Sequence, residues 1–79
     1  MTDTELNEFD PYLRRRVAEN VWKLRTERGL SQEKLSDMCG FHRTYVSQVE
    51  RSTTNISLDN LQKLAYGLDV DPVVLLRSS

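Results

Sequence analysis

Apolar side chains in this chain recur three and four residues apart and never alternate over the length of a strand, so it is committed to short helices. Leu13, Val17, Val21 and Leu24 form the first stripe. Asp10-Pro11 ahead of it offers an N-cap carboxylate followed by proline at the first helical position, and Gly29 after Arg28 suits a C-cap, which predicts a helix over 11–28. Ser31 caps a second helix, with Lys34 rather than Glu at the capping-box position; Leu35, Met38 and Cys39 follow its inner side until Gly40 stops it. After Phe41-His42 a third helix is expected from Arg43 to Arg51, whereas 52–56 has no helical period. Ser57 then caps a helix carrying Leu58, Leu61, Leu64, Ala65 and Leu68, and Asp71-Pro72 repeats the aspartate-proline device before Val73-Val74-Leu75-Leu76, a short fifth helix. The expected fold class is all-α, a compact five-helix domain.

Seventy-nine residues give room for one modest core and leave no space for a separate catalytic or ligand-sensing domain, so function must sit on the fold's own surface. Twelve acidic residues against eleven basic ones argue at first against a nucleic-acid partner, but the charge is unevenly placed. Residues 1–10 hold Asp3, Glu5, Glu8 and Asp10 with no basic residue, and are expected to be a frayed acidic tail ahead of a domain over 11–79. Residues 12–51 hold nine basic against five acidic residues, an asymmetry that permits positive potential on one face. Nothing resembles a signal peptide, a membrane span or a lipidation signal, which points to the cytoplasm.

A helix ending at Gly40, three residues of turn and a helix opening on polar side chains form the outline of a helix-turn-helix centred on Ser31 to Arg51. At about 100° per residue, Arg43, Thr44, Ser47, Gln48 and Arg51 fall within an arc of roughly 140°, opposite Tyr45, Val46 and Val49. Arginine can donate two hydrogen bonds to a guanine edge, glutamine can pair with adenine, and threonine offers a hydroxyl and a methyl group. The polar face thus has base-reading chemistry. The run Arg14-Arg15-Arg16 is read as a solvated face rather than a phosphate cluster.

The segments SQEKLSDMCGFHRTYVSQVER and SLDNLQKLAYGLDVDPVVLL resemble the Cro/repressor-type helix-turn-helix family over about residues 14–76, and RTYVSQVER in so short a chain is most similar to the controller proteins of bacterial restriction-modification systems. The resemblance implies a lambda-repressor-like fold and a homodimeric transcription regulator, bound to double-stranded DNA operators upstream of its own and the endonuclease genes. Its further implied partners are a second dimer on an adjacent site and RNA polymerase, with no membrane. It implies base reading by Arg43, Thr44, Ser47 and Gln48, phosphate binding by Gln32, Tyr45, Arg51 and Asn55, and a structural ion pair between Arg25 and Glu50. Three positions depart from the pattern: Ser36 replaces a tightly packed alanine, Ser52 a C-cap glycine, and Thr54 an arginine that reaches toward the operator centre in some controllers. A helix beginning at Pro72 can turn only part of its aliphatic set inward, and the resemblance implies that the outward part, assigned to Val73, Val74 and Leu76, forms the dimer interface with help from the fourth helix.

Cys39 and His42 cannot complete a tetrahedral metal site, and no cofactor is implied. No carboxylate pair, nucleophile with its base or glycine-rich phosphate loop is present, so the chain is read as a regulator rather than an enzyme. Two other readings stay open on the sequence: a phage-type repressor or antitoxin regulator, and an adaptor that uses this fold to bind protein.

Overall fold

The computed structural model describes residues 8–78, so the tail expectation for residues 1–7 lies outside the described residues. Five helices follow one another, α1 (Tyr12–Glu27), α2 (Gln32–Met38), α3 (Tyr45–Glu50), α4 (Leu58–Leu68) and α5 (Pro72–Leu76), and no strand occurs among the described residues. The all-α expectation is borne out.

Three caps form as the sequence implies. Ser31 Oγ accepts from the Lys34 N–H at 2.9 Å, Ser57 Oγ from the Asn60 N–H at 3.1 Å, and Asp71 Oδ1 from the Val73 N–H at 2.9 Å. The first aspartate-proline pair behaves differently. Helix α1 begins at Tyr12, with Pro11 in the N-cap place and no side-chain cap. Both Asp10 carboxylate oxygens are taken instead by the Arg15 guanidinium, at 2.6 and 2.8 Å, in an exposed bidentate pair that turns them away from the helix N–H groups. That hydrogen bonding holds the Asp10 carboxyl below its ordinary value.

The core takes Val17 and Val21 from α1, Leu35 from α2, Val46 and Val49 from α3, Leu61, Leu64 and Leu68 from α4, and Leu75 from α5. The apolar stripes bury less at their ends than helical period alone implies: Leu13 is 46% exposed, Met38 45% and Leu58 84%. On α2 the inward place beside Leu35 goes to Ser36, which is fully buried. Cys39 approaches α4 where only glycine fits, because a Cβ on Gly67 would lie 2.6 Å from its Sγ. The thiol donates to the Lys63 carbonyl at 3.3 Å, and burial pushes its pKa up, as befits a packing group rather than a nucleophile. Buried Asn20 of α1 donates to the carbonyls of Leu75 and Arg77, both at 2.9 Å, and so fastens the end of α5 to α1.

Candidate nucleic-acid interface

Helix α3 is placed from three sides. Gly40, at φ +75°, turns the chain out of α2 in a conformation that a side chain disfavours, and the Phe41 N–H then donates back to the Ser36 carbonyl at 2.9 Å. The Ser36 hydroxyl accepts from the Val46 N–H at 3.1 Å, satisfying one of the free donors at the start of α3. Alanine could pack there but could not make that bond. At the other end, Glu50 binds Arg25 of α1 through two hydrogen bonds, Nε to Oε2 at 2.7 Å and the terminal nitrogen to Oε1 at 2.8 Å. Arg25 also donates to the Leu30 carbonyl at 2.8 Å, and its pairing with Glu50 holds it firmly protonated. The chain leaves α3 through Ser52 at φ +61°, where serine rather than glycine costs about 1 kcal/mol of backbone strain.

With Val46 and Val49 turned inward, Ser47, Gln48 and Arg51 occupy the outward side, Arg51 exposed and the other two half-buried. Arg43 and Thr44 are exposed as well, but they precede α3 in its lead-in turn rather than forming its first helical turn, as the wheel had placed them. The turn is set by His42: its carbonyl accepts from the Tyr45 N–H at 2.9 Å and its Nδ1 accepts from the Thr44 N–H at 3.3 Å. Among the described residues, no hydrogen bond or ion pair holds the side chains of Arg43, Gln48 or Arg51.

The four residues assigned to phosphate do not share one environment. Gln32, at the start of α2, donates from Nε2 to Glu50 Oε1 at 3.1 Å, so it belongs to the ion-pair cluster and keeps one amide N–H to spare. Tyr45 is half-buried, its ring 4.3 Å from that of Phe41 and its hydroxyl accepting from Asn60 at 3.1 Å; the hydroxyl proton remains to be donated. Arg51 lies just past α3, and Asn55 is exposed in the following loop, where it shares a cleft of about 390 Å³ with Phe9, Tyr12 and Arg14 at the start of α1. Sequence reasoning did not assign Ser36, His42 or Asn60, although Ser36 anchors the start of α3 through Val46, and His42 and Asn60 orient Thr44 and Tyr45. The sole available signal was the short polar spacing of His42 to Thr44.

Toward the C-terminus, Leu75 is fully buried, Val74 and Leu76 are half-buried, and Val73 is 54% exposed. Leu76 already packs against the domain's own core, and lines an open apolar groove of about 280 Å³ with Leu13, Val17, Ile56, Leu58 and Leu61. Tyr66 of α4, 85% exposed, borders a second cleft that runs to Asp71 at the start of α5. No group of three or more metal-ligating side chains occurs among the described residues, and no described helix is long and apolar enough to cross a membrane.

Residues 23–75 match the family model for the helix-turn-helix. The control protein C.BamHI of Bacillus amyloliquefaciens is 53% identical over 47 residues, 60% of this chain and 58% of that one. A hypothetical transcription factor of Neisseria meningitidis serogroup B is 47% identical over 64 residues, 81% of this chain and 60% of that one. The chain therefore spans less than two thirds of either relative. Among solved structures, the restriction-modification controller C.Esp1396I, a tetramer in complex with its natural 35-base-pair operator, superposes with a TM-score of 0.75 at 33% identity, over 84% of this chain and 87% of that one.

Proposed function

The chain belongs to the helix-turn-helix family, and from that premise we propose that it is a restriction-modification controller, a sequence-specific transcription regulator that binds double-stranded DNA at its own and the endonuclease promoter in the cytoplasm. The observation that carries this reading is the side of α3 that presents Ser47, Gln48 and Arg51, preceded by Arg43 and Thr44 and held rigid from behind by Val46, Val49 and the Arg25–Glu50 pair. Similarity to named control proteins supports the narrower role.

Arg43, Thr44, Ser47 and Gln48 read base edges in the major groove, and Gln32, Tyr45, Arg51 and Asn55 hold the flanking phosphates. Two of the phosphate ligands are pre-oriented: the spare Gln32 N–H by Glu50, and the Tyr45 hydroxyl by Asn60. Ordering these groups before DNA arrives reduces the entropy lost on binding. The protein acts as a homodimer through Val73, Val74 and Leu76, with α4 contributing, on an operator whose symmetry mirrors its own. Two dimers occupy adjacent sites, in keeping with the tetrameric operator complex of C.Esp1396I, and one of them touches RNA polymerase.

The test is selection from random duplex DNA, followed by footprinting on the gene's own promoter and titration at several salt concentrations. The reading requires a selected two-fold site, protection upstream of the gene, and affinity that falls steeply with salt. Binding without sequence preference, or none at all, refutes it in favour of a protein-binding adaptor.

A further inference from the structure

Thr44 stands at the N-cap place of α3, yet its side chain caps nothing. Its backbone is in the right-handed region, at φ −93° and ψ −2°, rather than the extended one from which a cap side chain reaches the first helical N–H groups. Its Oγ1 lies instead 3.0 Å from His42 Nδ1. The direction of that bond follows from its neighbour. The Thr44 backbone N–H also donates to His42 Nδ1, at 3.3 Å, and that bond selects the tautomer with the ring proton on Nε2. In that tautomer the Thr44 hydroxyl donates the shorter bond, and the backbone N–H shares the single Nδ1 lone pair with it.

The geometry points to His42 as the residue that sets the polarity with which Thr44 reads a base. Its one proton committed to the imidazole, the hydroxyl has only lone pairs to offer outward. In the major groove such an oxygen pairs with the exocyclic amino group of adenine or cytosine, and is repelled by the carbonyl oxygen of thymine or guanine. A threonine with a free hydroxyl could serve either. His42 is exposed, so it is placed to act at the same surface, and its contact is with Thr44 and the turn rather than with the core. It is a positioning residue, and the inference rests on the reading of Thr44 as a base-reading residue.

The experiment compares the wild-type chain with Thr44→Val, His42→Ala and His42→Asn by selection from random duplexes, with thermal unfolding of each. Thr44→Val locates the base position that Thr44 reads, as the one whose preference disappears. At that position the exocyclic amino group is then deleted, by replacing adenine with purine or cytosine with pyrimidin-2-one. One neutral hydrogen bond corresponds to about a five-fold loss of affinity for wild type, with none for Thr44→Val. His42→Ala is expected to let carbonyl-bearing bases in at that position, to within about two-fold, while the positions read by Arg43 and Gln48 keep their preferences. His42→Asn should restore the wild-type preference, since its Oδ1 can accept the same two protons. A His42→Ala variant that melts lower but selects the same base reduces His42 to a capping role and overturns the inference. So does a wild-type protein indifferent to the amino group. If Thr44→Val changes no position at all, the fault lies with the reading of Thr44 itself.

Discussion

Replacing Glu50 with alanine separates structural from DNA-contacting roles. Its side chain is 6% exposed and binds the 12%-exposed Arg25 side chain at 2.7 Å, with Gln32 on the same oxygen that takes the second arginine bond. Truncation leaves a nearly buried guanidinium with the Leu30 carbonyl as its remaining partner. Removing one member of a buried pair costs about 3–5 kcal/mol, and the residual exposure and the Leu30 bond place this site at about 3 kcal/mol. For a domain of this size each kcal/mol moves the melting temperature by about 4–8 °C, so Glu50→Ala should melt about 12–24 °C lower by circular dichroism. Removing both charges, as in Arg25→Met with Glu50→Leu, should recover most of that loss, because the penalty comes from the orphaned cation and not from the missing attraction. Operator binding well below the melting transition should be affected less than folding. A Glu50→Ala melting temperature within about 2 °C of wild type, or a double variant as unstable as the two single losses combined, would refute the reasoning.

Arg43→Ala should lose about 1–3 kcal/mol, most of it as discrimination at one base position per half-site; an unchanged selected sequence would remove Arg43 from the base-reading set. Arg51→Ala should weaken binding to all sequences alike and lower the slope of affinity against salt by about one unit, and an intact slope would sink its phosphate role. Gly67→Ala should destabilise the fold by about 1–3 kcal/mol, because its Cβ would press on Cys39, and Cys39→Ala in the same chain should relieve it; equal unfolding free energies for the two would place the close approach elsewhere. Val74→Asp should give a folded monomer by sedimentation, weak on a full operator and little changed on a half-site, whereas a variant still dimeric at micromolar concentration moves the interface, for which the groove between Leu13 and Leu58 is then the nearest apolar surface.

What could be read from the sequence were the features whose partners lie within one turn of helix. Ser31, Ser57 and Asp71 cap the helices they precede because donor and acceptor are two or three residues apart, and the stripes through Val17 and Val21 or Leu61, Leu64 and Leu68 bury because helical period alone puts them on one side. The outward side of α3 is legible for the same reason, and the Arg25–Glu50 partnership was legible through family resemblance and not through spacing. Local rules failed where another partner intervened: Arg15 holds the Asp10 carboxylate that a cap would have used, and His42 and the turn held Arg43 and Thr44 outside α3. Tertiary structure alone decided that Ser36 would feed the Val46 N–H, that Asn60 would hold the Tyr45 hydroxyl, and that Asn20 would tie down a carbonyl 55 residues away. A periodic pattern fixes which side of a helix is buried, because that depends on the composition of each side; it carries no record of which buried polar atom meets which, because a hydrogen bond requires donor and acceptor to be brought within about 3 Å, and only the packed arrangement of all five helices sets those distances.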